Sequence, residues 1–189
     1  MLFAYVLRPV TVEGHSMEST LQDQDKLFMT DLFYTPERGD IVIIDNDASH
    51  TFDENGNLVS KAANSVVIEN CSNNHAEINA IKEAQMKLAT YDLSSYNLSI
   101  YITAEPCMMC VGAIMWSGIK NVYYSVPSET VEKITGFDEG FKPSWLKEFK
   151  KRGIAVYGNI EAKLGEVELK QYVQTGKKIY KPERKQQKT

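Results

Sequence analysis

Residues 73–126 read NNHAEINAIKEAQMKLATYDLSSYNLSIYITAEPCMMCVGAIMWSGIKNVYYSV, and the periodicity of this stretch switches between helix and strand. From His75 to Leu88, Ile78, Ile81, Ala84 and Leu88 recur at helical spacing on one face, and Asn73 or Asn74 is the natural N-cap. Residues 98–103 have the β-branched and aromatic composition of a strand. Residues 107–116 form an apolar helix that starts just after Pro106 and ends before Gly118. Residues 121–125 read as a buried strand. Strands alternating with helices imply a mostly parallel or mixed sheet covered on both faces.

The alternation continues downstream. Ser128 is expected to cap a helix through Ile134 and Ser144 another through Lys151. A strand follows at 154–157, then an amphipathic helix at 160–173 that stops at Gly176. Upstream, residues 3–12, 27–29 and 41–44 read as strands. The polar run DNDASHTFDENG, residues 45–56, reads as a domain boundary or a long hairpin loop. Asn55-Gly56 is a hairpin-turn dipeptide, so a strand is expected at 57–63.

The bulk composition sets bounds. With 189 residues, 43% of them hydrophobic, the chain can bury one good core. Three cysteines do not make a secreted disulfide framework. No apolar run reaches the ~18 residues that a membrane-spanning helix needs. The opening MLFAYVL is short and lacks a preceding basic region, so it does not read as a signal peptide, and the cytoplasm is the expected compartment. Lys177, Lys178, Lys181, Arg184, Lys185 and Lys188 make the tail basic, which reads as a solvated, frayed terminus. The formal net charge of -4 weighs against nucleic acid as a partner.

Chemistry concentrates in two short pieces, His75-Ala76-Glu77 and Pro106-Cys107-Met108-Met109-Cys110, each at the start of a helix. Two thiolates three residues apart at a helix N-terminus can grip one ion, and the helix dipole favours their ionised form. One imidazole completes a three-ligand tetrahedral Zn2+ site with an open position for water, the mark of a catalytic rather than a structural zinc. Glu77 lies two residues beyond His75 and does not face the same ion on a helix, so it is placed to move protons instead. A lone C-x-x-C also suits a redox pair or half of a structural zinc site. Cys71, the third cysteine, would close the site if it were a fourth ligand; otherwise it is an ordinary loop thiol. His15 and His50 have no partner motif and read as surface residues.

H-x-E followed by P-C-x-x-C is the signature of zinc deaminases. Residues 57–181, with NNHAEINAI, TAEPCMMCVGAIMWSGIKNVYYSV and GFDEGF, resemble the cytidine and deoxycytidylate deaminase superfamily. The resemblance implies a three-layer α/β/α mixed sheet, His75, Cys107 and Cys110 as zinc ligands, and Glu77 as proton shuttle. It implies hydrolytic deamination: zinc hydroxide attacks a carbon bearing an exocyclic amine, and Glu77 protonates a ring nitrogen and then the departing ammonia. GFDEGF and AIMWS are most similar to the guanine deaminase branch, where an acidic residue after Gly-Phe helps to recognise the base; Asp138 or Glu139 would take that role, or else form a solvated acidic loop. Asn64 matches a substrate-facing Asn or is a turn former, and Ala76 belongs to the same expected set. Trp116 and Phe137 are placed either to stack on the base or to pack in the core. The expected partner is a free base or nucleoside, with guanine leading, and the expected assembly is a homodimer. The tRNA adenosine deaminase branch shares HAE and PCxxC and is the alternative.

The first 44 residues resemble a different family. RPVTVEGHSMESTLQDQDKLFMTDLFYTPERGDIVII is similar to the serine box of type I signal peptidase and the strand after it. The resemblance puts the nucleophile position at Ser16, but Ser19 replaces the family's usual Pro and no catalytic lysine follows before Lys61. Without that base the serine is not activated, so an inactive fragment is expected. The organisation is therefore a signal-peptidase-like piece at 1–50 and a zinc deaminase domain at 51–189. Residues 41–44 are expected to supply the deaminase strand that pairs with 57–63.

Overall fold

The computed structural model describes residues 8–11, 26–29, 48–138, 140 and 143–180. The chain divides into two compact units, Met1–Val42 and Ile43–Thr189. In the first, β1 (Arg8–Thr11) pairs antiparallel with β2 (Lys26–Met29). Ser16 lies outside the described residues.

The second unit holds a five-stranded mixed sheet in the order β4-β3-β5-β6-β7. Its strands are β3 (Ala48–Phe52), β4 (Leu58–Ala63), β5 (Ser99–Ala104), β6 (Asn121–Val126) and β7 (Ala155–Tyr157). β3 runs antiparallel to both β4 and β5, whereas β5, β6 and β7 run parallel. The helices are α1 (Val66–Glu69), α2 (Ala76–Lys87), α3 (Met108–Ser117), α4 (Ser128–Thr135), α5 (Trp145–Lys151) and α6 (Ala162–Gln174). α2, α3 and α5 bury Ile81, Val111, Ile114 and Phe149 against Val59, Ile100, Ile102 and Val122 of the sheet. Each such side chain contributes about 1.5–3 kcal/mol through burial. α6 lies against the opposite face. A Cβ at Gly165 would collide with Ser125 Oγ and Val126 Cγ2, so the helix approaches β6 by its bare backbone. Beside it a ring ladder of Phe52, Tyr101, Tyr123 and Tyr157 crosses four strands. The α/β/α layering is the one expected.

The loop expected at 45–56 is corrected in part. Residues 48–52, read as part of a polar loop, form an interior strand that pairs with both β4 and β5, whereas residues 41–44, expected to pair with 57–63, lie outside the described residues. The boundary expected at 50/51 therefore falls inside β3. Ser49 and Thr51 point into the protein at 1% and 0% exposure, and His50 and Phe52 line the ladder face. The buried face is made of hydroxyl residues, which hides its period of two from a hydrophobicity reading. Their cost is met by hydrogen bonds: Thr51 Oγ1 and Ser60 Oγ lie 2.7 Å apart, and Ser60 Oγ donates to Ala80 O of α2 at 2.8 Å. The caps also differ. His75 and Pro127, not Asn73, Asn74 or Ser128, are the N-cap residues of α2 and α4. Ser144 occupies the N-cap position of α5 as expected, without a side-chain capping bond. Gly118 ends α3 at φ +90°, where a side chain would meet the backbone of Ser94.

Candidate metal centre

Two helix starts converge on one point. His75 is the N-cap of α2 and Cys107 the N-cap of α3, both with extended backbone (φ -68°, ψ 152° and φ -66°, ψ 166°). Neither side chain caps its own helix, so both are directed elsewhere. His75 Nδ1, Cys107 Sγ and Cys110 Sγ form a triangle with all three sides 3.6 Å. Bonds of about 2.3 Å to sulfur and about 2.0–2.1 Å to nitrogen at tetrahedral angles require edges of about 3.8 Å for S···S and about 3.5 Å for S···N. The triangle thus has the size of one face of a zinc tetrahedron. Cys71 is not part of this cluster; it is a half-buried loop thiol.

The electrostatics suit a thiolate-binding cation. The hydrogen bond between the two sulfurs, with help from His75, holds Cys107 down at about 4. Cys110 keeps the remaining proton and is pushed up, first by its hydrogen bond to Cys107 and then by burial. A divalent ion takes both as thiolates and expels that proton. Glu77, only 8% exposed, is raised above the usual carboxylate range by burial and, further, by the neighbouring Cys107. A buried carboxyl so shifted can hold and release a proton nearer neutral pH.

The cluster opens on a cavity of about 170 Å³ lined in part by Ser49, Asn64, His75, Ala76, Glu77, Glu105 and Cys107. Asn64 and Ala76 therefore line the same cavity as the cluster. Trp116 does not: it is 82% exposed on α3 and absent from the lining, because the face of α3 that packs inward carries Cys110, Val111, Ile114 and Ser117. Asp138 is exposed, takes the N–H of Gly140 at 2.7 Å and is likewise absent from the lining. Phe137 is half-buried, and Glu139 lies outside the described residues. Sequence reasoning missed Glu105, whose Oε2 accepts Ser128 N–H at 3.0 Å and whose Oε1 accepts Trp145 Nε1–H at 3.2 Å. It also missed Asn79 of α2, whose Nδ2 shares its two protons among Ala63 O, Ser65 Oγ and Asn74 O at 2.9, 3.0 and 3.3 Å. An Asn inside a helix is disfavoured by propensity, and that was the available signal.

An α/β/α sandwich with a His/Cys/Cys cluster and a buried carboxyl beside it defines the zinc deaminase class. The model of the cytidine and deoxycytidylate deaminase zinc-binding region matches residues 48–126, and the chain belongs to this family. Zinc is accordingly its metal. The tRNA-specific adenosine deaminase of Buchnera aphidicola subsp. Schizaphis graminum is 34% identical over 108 residues, 57% of this chain and 67% of that protein. The guanine deaminase of Bacillus subtilis is 35% identical over 88 residues, 47% of this chain and 54% of that protein. The solved guanine deaminase from Nitrosomonas europaea is 38% identical with a TM-score of 0.64, covering 66% of this chain and 71% of that one. The chain spans 48% to 67% of the length of the first curated relatives it matches. A signal peptidase, peptidase S26 model matches residues 1–78. Among the described residues no helix is long and apolar enough to cross a membrane.

Proposed function

We propose that this chain is a zinc-dependent hydrolytic deaminase of a nucleobase, with a guanine-type purine as substrate. The observation that carries this reading is the His75, Cys107 and Cys110 cluster opening, through His75 and Cys107, on a cavity that Glu77 also lines. His75, Cys107 and Cys110 hold the zinc, which when bound lowers the pKa of a ligated water to about 7. Glu77 takes the proton of the attacking water and delivers it to a ring nitrogen, and a second proton passes through the same carboxyl to the amine. The C–O bond forms, the C–N bond breaks, and ammonia leaves. Asn64 offers its Nδ2 to the base, because its Oδ1 is committed to Val66 N–H at 3.1 Å. The cavity lies below the ~300–1,000 Å³ of sites for drug-sized ligands, which favours a single base. Solved relatives 37% and 38% identical were crystallised with 8-azaguanine, which supports a guanine-type substrate. Asp138 or Glu139 is the acidic residue proposed to recognise the base, and Asp138 is exposed outside the cavity lining.

The second reading, a tRNA adenosine deaminase, is favoured by curated relatives of that name. A homodimer in the cytoplasm, with residues 1–50 an inactive signal-peptidase-like piece, completes the proposal. The test is ammonia release by purified, zinc-loaded protein from guanine, adenine, cytosine, cytidine, deoxycytidylate and a tRNA carrying a target adenosine. Release from guanine, abolished by Glu77→Ala, is expected. Release from the tRNA alone would replace the first reading with the second, and no release from any of them would refute both.

A further inference from the structure

Asn79 stands on α2 two residues beyond Glu77, and its backbone N–H closes the first helical turn onto His75 O at 3.0 Å. Its side chain reaches out of the helix to the β4–α2 connection. The three acceptors of Nδ2 are Ala63 O, Ser65 Oγ and Asn74 O. Two of them are carbonyl oxygens, which can only accept, so the amide group must face them with its nitrogen. Ala63 and Ser65 are the residues on either side of Asn64, and Asn74 immediately precedes the ligand His75. The connection is closed on itself by a further bond from Ser65 N–H to Asn74 O at 2.9 Å. One amide thus ties together the residues flanking Asn64, the residue before His75 and the helix that carries Glu77. Asn64 itself is exposed and sits in a segment without regular structure, so these bonds brace the backbone on either side of it beside the cavity.

We propose that Asn79 is a positioning residue that sets Asn64 relative to His75 and Glu77, and so governs how tightly a base binds. The proposal rests on the deaminase reading above and assigns Asn79 no contact with substrate. Its effect is on binding rather than on chemistry, because the amide bonds to residues beside Asn64 and His75 and to none of the side chains of His75, Glu77, Cys107 and Cys110. It also acts through Asn64, so the two residues form one unit in a double-mutant cycle.

The experiment measures KM and kcat for ammonia release, and Kd for 8-azaguanine by calorimetry, on zinc-loaded protein with its zinc content determined. Asn64→Ala and Asn79→Ala are each expected to raise KM and Kd about tenfold, the loss of roughly one good hydrogen bond, with kcat within about threefold. In the Asn64→Ala background, Asn79→Ala is expected to add less than about twofold. If Asn79→Ala does not fold, Asn79→Ser, which keeps one donor, carries the same cycle. Effects that multiply in the double variant would overturn the proposal, as would a loss of kcat or of zinc with KM unchanged. A wild type that releases ammonia while the cycle multiplies overturns this proposal alone. A zinc-loaded wild type that neither releases ammonia nor binds 8-azaguanine overturns the deaminase reading with it.

Discussion

The buried hydroxyl chain between β3, β4 and α2 makes a sharp stability prediction. Ser60 Oγ has one proton, and it goes to Ala80 O at 2.8 Å. The 2.7 Å contact between Thr51 Oγ1 and Ser60 Oγ must therefore be a donation from Thr51. Both residues are buried, at 0% and 2% exposure. Ser60→Ala strands the Thr51 hydroxyl without an acceptor and removes the bond to α2, which together cost about 2–3 kcal/mol. Thr51→Val keeps the shape and leaves Ser60 bonded to Ala80, so it costs about 1 kcal/mol. With both changed, no hydroxyl is stranded, and the double variant should fall only about 1–2 kcal/mol below wild type instead of the 3–4 kcal/mol of the sum. At ~2–4 °C per kcal/mol for a chain of this size, the singles shift the melting temperature by roughly 4–12 °C and 2–4 °C. Thermal unfolding followed by far-UV circular dichroism on zinc-loaded protein gives the three differences. A double variant as unstable as the sum of the singles would refute the assigned donor order, and with it the account of why a strand with a polar buried face sits in the interior of the sheet.

Three further outcomes follow from the site. Glu77→Gln should cut turnover by about 10²–10⁴ while zinc content stays at the wild-type level by atomic absorption. The same variant should change a pH profile: the folded carboxyl keeps its proton above 4.5 while the unfolded one has released it, so the metal-free wild type loses stability as pH rises from 4.5 towards the raised folded value. Denaturant titrations across that window should show Glu77→Gln lacking this decline. Chelation of the zinc should lower stability by about 4 kcal/mol relative to protein in a thousandfold excess of zinc over Kd, whereas a Cys110→Ser variant should melt at the same temperature with and without chelator. Glu105→Ala should unpair Ser128 N–H and Trp145 Nε1–H, lowering stability by about 1–3 kcal/mol and shifting the emission of Trp145 in a Trp116→Phe parent. An emission spectrum unchanged by Glu105→Ala would show that the indole bond does not exist.

Much of the candidate site was legible before any coordinates. His75, Cys107 and Cys110 could be picked out because metal ligation is written in residue type and short spacing, and Pro106 and Gly118 bracket the helix that presents the thiols. The order of elements from α2 to α6 was readable for a similar reason, since each spans enough residues for its period to show. What spacing alone left open was whether Cys71 joins the cluster and which side of α3 packs inward. Trp116 illustrates the limit. Every residue of α3 up to Trp116 is apolar, so hydrophobicity gave no preferred face, and only packing against Ile100 and Val122 decided that Ile114 is inside and Trp116 outside.

Residue types and short spacings sufficed to pick out the candidate ligands, the candidate proton carrier and the helix–strand alternation, because these depend on residue identity and on contacts a few positions apart. Only three-dimensional pairing reveals that residues 48–52 are an interior strand, since its stability comes from pairing with β4 and β5, the latter some 50 residues away. The tertiary structure alone gathered Asn64, Ala76 and Glu77 around one cavity and placed Asn79 against the segment beside them. Hydrogen bonds between residues 14 and 16 positions apart, as from Asn79 to Ser65 and Ala63, leave no periodic trace in a chain. They exist only once the sheet has brought both ends together.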